Sequence, residues 1–264
     1  MMVTLASPET KVDVATATKL MLVVEYDGTR YYGFQLQVDQ PTIQGELETA
    51  IAKLTGERLR ITAASRTDTG VHAQGQVVSF GTRSTLPPAT FISGLNYYLP
   101  ADIAIKAARR VDDSFQVRRH ALSREYRYHI LNSSTRSPLR DGFAHRVTGY
   151  LDINAMNQAA QALIGLHDFA SFTTVTGIKT VRKVYKAEVK REGDLVVFYM
   201  IASSFLPHQV RNTIGALVRV GRGKMSIAEF HSIIDRIELG LAGPTAPACG
   251  LCLMQVNYAE GKLS

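Results

Sequence analysis

One order of elements can be read twice along this chain of 264 residues, and no other feature constrains its fold as much. Leu20 to Tyr26 (LMLVVEY) is an apolar, β-branched run stopped by the turn pair Asp27-Gly28, the pattern of a buried strand. Thr42 stands where a helix cap belongs. Ile43, Leu47, Ala50, Ile51 and Leu54 then recur at helical spacing up to Gly56, predicting a helix over about 42–55. Arg58 to Ala64 and Gln76 to Phe80 read as strands around the polar loop Ser65 to Gln74. Pro87-Pro88 opens a helix closed by Pro100, and Ile103 to Val111 returns as a strand.

The second half repeats the order with one helix added. Arg124 to Leu131 alternates as a strand does, and Ile153 to Ile164 places Met156, Ala160 and Leu163 on one helical face. Val181 to Lys190 turns through Glu192-Gly193-Asp194 into Leu195 to Ser203. Pro207 starts a helix to about Gly221, Ser226 with Glu229 makes a capping box for another to about Leu239, and Leu251 to Tyr258 ends the series as a strand. Two split βαβ units in tandem predict an α+β protein of two ferredoxin-like (RRM-like) halves with antiparallel sheets. The expected division is a flexible polar tail at 1–19, one domain at 20–111 and a second at 112–264. Each unit covers one sheet face with its own helices, so the two uncovered faces predict a catalytic cleft between the halves.

No apolar run approaches the roughly 18–20 residues that span a bilayer, which excludes a membrane helix. The first 19 residues hold no apolar signal core and carry Glu9 and Asp13, so no secretory signal is read there. With only Cys249 and Cys252, no disulfide framework is available, and the expected compartment is the reducing cytoplasm. The net charge is +7, and +6 of it lies between Lys106 and Arg146, where nine of the ten basic residues are arginine. A planar guanidinium fork suits phosphate, so this segment predicts a polyanionic partner, a solvated basic face being the plainer reading.

The densest polar cluster in any loop is Ser65-Arg66-Thr67-Asp68-Thr69-Gly70-Val71-His72. Hydroxyls at positions 65, 67 and 69 can hold such a loop in one shape, and Gly70 permits a positive φ or the close approach of a ligand. A carboxylate so placed suits a nucleophile, a base or a metal ligand, and an ordinary turn would use the same residue types. Asp68-Thr69-Gly70 also spells the tripeptide of aspartic proteases. Those enzymes need two carboxylates sharing a proton, whereas this chain carries one copy, with Arg66 beside it favouring full ionisation. A dimeric protease is therefore the weaker rival.

Taken together, these motifs closely resemble the tRNA pseudouridine synthase A family. The likeness runs through Tyr26-Asp27-Gly28-Thr29, Tyr32-Gly33-Phe34-Gln35, the Asp68 loop and Asn96-Tyr97-Tyr98-Leu99-Pro100. It continues, in order, through Arg124-Glu125-Tyr126-Arg127-Tyr128, His167-Asp168-Phe169-Ala170-Ser171-Phe172, Val210-Arg211-Asn212 and Gly250-Leu251. The resemblance implies a homodimer without cofactor or metal that converts uridine to pseudouridine at positions 38, 39 and 40 of the tRNA anticodon stem-loop. It also implies that Asp68 is the catalytic aspartate, that Tyr126 stacks on the target base, that Arg211 pairs with Asp68, and that Arg66 assists flipping. His72, which closes the motif, is counted with the substrate-binding residues.

The chemistry asks for such groups. The N1–C1′ bond breaks, the uracil turns and C5 joins C1′, so nothing is gained or lost and no redox centre is required. A carboxylate could attack C1′ or C6, or promote a glycal route. A base inside a stem is out of reach until flipped, at a cost of a few kcal/mol that stacking and phosphate contacts offset. Taken alone, Tyr126 shares a face with Tyr128 and reads as core, and Arg211 near a helix start opposes the helix dipole unless an anion lies nearby. Cys249 and Cys252 read as small buried residues, and His167-Asp168 as structural. Two departures from the family pattern are Phe34, where tryptophan is common, and Pro207-His208-Gln209 in place of a histidine pair. A non-catalytic RNA-binding module would share the fold and the charge.

Overall fold

The computed structural model describes residues 17–259. Its first half contains β1 (Thr18–Tyr26), α1 (Ile43–Thr55), β2 (Thr62–Ala63), β3 (His72–Thr82), α2 (Pro88–Tyr98) and β4 (Ile103–Val111). Thr42 caps α1 by accepting from the Gly45 amide at 3.2 Å, and Gly56 closes it at φ 76°. The strands lie in the order β4-β1-β3 with β2 beside β3, as the split βαβ pattern requires. β2 is far shorter than expected from Arg58 to Ala64. The Ile61 amide and the Arg60 guanidinium turn to the Glu48 carboxylate on α1, which takes residues 60 and 61 out of the ladder.

The second half contains β5 (Ala121–Leu131), β6 (His145–Arg146), α3 (Ile153–Gln161), β7 (Gly165–Asp168), β8 (Val181–Glu192), β9 (Leu195–Ala202), α4 (Gln209–Gly221), α5 (Ile227–Arg236) and β10 (Leu251–Tyr258). The order β10-β5-β9-β8 repeats that of the first half, with β7 added at the edge. Ser226 and Glu229 form the expected capping box, while Ile237 enters the left-handed region and ends α5 earlier than the apolar pattern suggested. β6 and β7 carry no sequence signal strong enough to mark them, being two and four residues long.

The halves are joined edge to edge. β3 and β10 pair in parallel through Cys252 with His72 and Leu253 with Ala73, making one ten-stranded, mostly antiparallel sheet. The register tells which side chains share a face, because partners across a ladder point the same way. Tyr26 pairs with Ala73, Ala73 with Leu253, Leu253 with Tyr126, and Tyr126 with Met200. These residues are buried, together with Leu20, Leu22, Val24, Tyr128 and the apolar faces of all five helices, in one continuous core. Both helix sets therefore lie on one side of the sheet. The gap between them, on that same side and not across the uncovered faces, is where the halves form a cleft.

The expected tail at 1–19 is corrected at its end, where Thr18 and Lys19 belong to β1 and pair with Thr82 and Gly81. The Lys19 ammonium also donates to the carbonyls of Asp113 and Phe115. The remainder of that tail, residues 1–16, lies outside the described residues. Among the described residues, no helix is long and apolar enough to cross a membrane.

Candidate active site

The loop between β2 and β3 is fixed from below by strand side chains. Gln76, fully buried, receives the Ser65 amide at 3.3 Å and donates to the Ser65 carbonyl at 2.8 Å. The Tyr26 hydroxyl meets the Thr67 hydroxyl at 2.7 Å. From the side, the Phe34 amide donates to the Thr67 carbonyl, and Gly33 at φ 89° approaches so closely that a Cβ would stand 2.8 Å from that oxygen. Gly70, at φ 76°, then turns the chain into β3. The motif residues Tyr26, Gly33 and Phe34 are thus a cradle for the loop, and Asp68 projects from a backbone with little freedom.

Asp68 meets the start of α4. Arg211 Nη1 donates to Asp68 Oδ2 at 3.1 Å, and His208 Nε2 stands 3.6 Å from the same oxygen. Among the described residues, no hydrogen bond or ion pair reaches Oδ1. Arg211 is itself aimed by the loop before β10, where its Nε donates to the Ala246 carbonyl at 2.8 Å and its carbonyl accepts from the Ala246 amide at 3.1 Å. The anion that a cation in the first turn of a helix calls for is Asp68.

Tyr126 forms the floor beside them. Its hydroxyl lies 3.0 Å from Ser65 Oγ, and its ring meets Phe205 edge-on at 4.9 Å. Burial pushes the phenol up to about 12, against the Ser65 hydrogen bond and with a further push from the Asp68 charge. The ring is 6% exposed, as a core residue is, and it also lines the cleft. Arg124, two residues earlier on the same face, is a buried brace. Its guanidinium donates to the carbonyls of Ala64, Arg118, Ala121 and Ser203, tying both halves together, and burial lowers its pKa.

The cleft holds about 430 Å³. Asp68 is the one carboxylate among its lining residues, against Arg66, Arg118, Arg124, Lys179, Arg182 and Arg211. The proton-sharing second carboxylate of a protease is not in this lining. The basic stretch Lys106–Arg146 contributes only Arg118 and Arg124 here. Lys106 and Arg140 line a separate cavity, and Arg127 stacks 5.0 Å from the Tyr199 ring.

His72 is a correction. It pairs with Cys252, one residue out of phase with Ala73 and Leu253, and one step along a strand reverses the side chain's direction. Its imidazole therefore lies on the other side of the sheet. There it accepts from the Gly28 amide, lies 3.1 Å from Asp27, contacts the carbonyls of Gly142 and Cys249, and stacks on Phe143 at 4.8 Å. It is 5% exposed and lines the other cavity, so it supports the fold and not a substrate in this cleft. Cys249 and Cys252 are free thiols, and burial pushes Cys252 up to about 12. Asp168 accepts the Ala170 amide, a structural use. Sequence reading gave no site role to His208, Phe205, Lys179 or Arg182, because none sits in a local pattern that places it beside Asp68.

A family model described as tRNA pseudouridine synthase matches residues 22–118 and 159–259, which include Asp68 and Arg211, while Tyr126 lies between the two matched stretches. The chain belongs to the tRNA pseudouridine synthase family. It is 43% identical over 245 residues to a tRNA pseudouridine synthase A of Exiguobacterium sp., covering 92% of this chain and 98% of that one. It is 41% identical to those of Myxococcus xanthus, over 92% and 93% of the two chains, and of Neisseria meningitidis serogroup C, over 94% and 95%. Among solved structures, an archaeal box H/ACA sRNP Nop10–Cbf5 complex is similar at 14% identity and a TM-score of 0.34, over 75% of this chain and 44% of that one, too weakly to bear on fold or function. As a tRNA pseudouridine synthase, this protein is an isomerase acting on uridine in tRNA.

Proposed function

We propose that Asp68 is the nucleophile of this isomerisation and that Arg211 pairs with it and fixes its orientation. The observation that carries the reading is the convergence of Arg211 and His208 on Oδ2, which leaves Oδ1 as the open oxygen of the carboxylate. Attack at C1′, attack at C6 and a glycal route each use that oxygen, so the same geometry serves all three. A flipped uracil stacks on Tyr126, and Arg66, exposed at the rim, holds the displaced nucleotide by its phosphate. The substrate segment is positions 38, 39 and 40 of the anticodon stem-loop, bound by a homodimer in the cytoplasm. The chain divides functionally at 20–111, which carries the nucleophile, and 112–264, which carries its cation and the stacking ring.

The test is to incubate an unmodified tRNA transcript with the purified protein and map pseudouridine along the anticodon arm chemically. Asp68→Asn is expected to bind the transcript and to leave every uridine unconverted. Conversion by that variant at the wild-type rate would overturn the nucleophile, and conversion outside positions 38 to 40 would overturn the target.

A further inference from the structure

His208 stands at the N-cap of α4 with φ 61° and ψ 0°, a left-handed backbone that non-glycine residues seldom adopt. The amide side chain of Gln209 stabilises this turn from beneath, its Oε1 accepting from the Leu206 amide at 2.9 Å. The outcome is an imidazole in the cleft wall, 43% exposed at its side chain, with Nε2 3.6 Å from Asp68 Oδ2. Backbone strain of about 1–3 kcal/mol that places a side chain against a reacting group points to a use for that group.

Pseudouridine formation carries a proton requirement that the nucleophile alone does not meet. When C5 joins C1′, C5 still holds its hydrogen and N1 lacks one. The C5–H bond must then break, its electron pair forming C5=C6 while the N1=C6 pair moves to N1, and N1 takes a proton from water. The electron flow is that of the C1′ and glycal routes, and after attack at C6 the same C5–H pair would instead expel the carboxylate from C6; loss of the C5 proton is common to all three.

We propose that His208 is a further catalytic residue, the base that removes the C5 proton and releases it to solvent. The inference rests on Asp68 as the group that holds C1′. Imidazole is the side chain that takes up and gives back a proton near neutral pH without special surroundings. The other charged groups of the cleft wall are ill suited to accept one. Arg66, Arg118, Arg182 and Arg211 are guanidinium groups, and Lys179 is an exposed ammonium. The buried Arg124 is spent on four carbonyls, and the Tyr126 phenol, pushed up to about 12, keeps its proton. Asp68 leaves C1′ as C5 joins it, and its carboxylate remains paired with Arg211 through Oδ2.

The test uses single-turnover conversion of tRNA carrying protium or deuterium at C5 of uridine. His208→Gly and His208→Asn are the variants, because glycine and asparagine tolerate the left-handed backbone. Both are expected to bind tRNA as the wild type does, to convert it about 100-fold or more slowly, and to show a primary isotope effect absent from the wild type. Added imidazole is expected to restore part of the His208→Gly rate. An unchanged rate overturns the proposal. So does a slower rate with no isotope effect and no rescue, which would make His208 a positioning residue for Asp68. Asp68→Asn, assayed in parallel, reports on the nucleophile separately: activity there overturns that reading whatever His208 does.

Discussion

Arg211 Nη1 reaches Asp68 Oδ2 at 3.1 Å across 143 residues of sequence, and the pair is the point at which the two halves of the molecule become one site. The guanidinium is held at its other end by the Ala246 carbonyl, so it works as a strut of fixed length. A lysine has the charge, but its three donors radiate from one nitrogen and lack the fork that sets Nε and Nη1 apart to meet both partners.

Arg211→Lys is therefore expected to fold and to slow single-turnover conversion by about 10- to 150-fold, the equivalent of one lost charge-assisted hydrogen bond of ~1.5–3 kcal/mol. Circular dichroism and a rate measurement at saturating tRNA check it. A rate equal to the wild type's would mean that charge alone, without the strut, maintains the carboxylate.

The Tyr126 phenol gives a pH dependence of defined sign. In the unfolded chain a tyrosine ionises near 10, whereas in the fold it keeps its proton to about 12. Between these values the unfolded state binds fewer protons, so stability falls as pH rises, and the contribution is complete below pH 10. Its size is on the order of 2–3 kcal/mol. Denaturant unfolding at pH 9 and pH 12 is expected to show a smaller loss for Tyr126→Phe than for the wild type. Parallel losses would refute the assignment.

The basic wall of the cleft makes tRNA affinity depend on salt. Lys179 and Arg118 are exposed there and form no ion pair among the described residues that would compete with phosphate. Lys179→Ala and Arg118→Ala are each expected to flatten the plot of log affinity against log salt by about one, leaving the rate at saturating tRNA unchanged. An unaltered slope would place those side chains outside the tRNA footprint.

Gly215 lies where α4 passes the loop that fixes Arg211. A Cβ there would stand 1.8 Å from the Pro244 carbonyl oxygen, a backbone atom that cannot swing aside. Gly215→Ala is expected to cost ~1–3 kcal/mol of stability by overpacking and to lower activity as well, since loop and helix must part. Thermal unfolding and the conversion assay measure the two losses, and a variant of wild-type stability would show that the helix can shift freely.

Much of this was legible in the sequence, for local reasons. Thr42, Gly56 and the Ser226/Glu229 box announce helix ends because capping is a contact within one turn, and the strands follow from alternation. The Asp68 loop stood out because its polar density is contiguous. His72 was misplaced because a strand turns every second residue over, and nothing within the loop marks where the strand begins. His208, Lys179 and Arg182 were invisible as site residues because their nearness to Asp68 is made by the packing of distant segments, which leaves no periodic trace. The breadth of the basic segment was misleading for the same reason: strand alternation sends Arg124 and Arg127 to opposite sides of the sheet.

The seam between β3 and β10 also bears on how the protein is made. Every residue of the Asp68, Tyr126, His208 and Arg211 cluster leaves the ribosome before Leu251–Tyr258, the strand that lies between the two halves of the sheet. At roughly 5–20 residues per second, β10 follows Arg211 by a few seconds. During that interval the nascent chain holds the site residues without the strand that joins β3 to β5. A chain stalled before Leu251 is therefore expected to lack the seam that carries β3 alongside β5, and with it the joint register of the two halves.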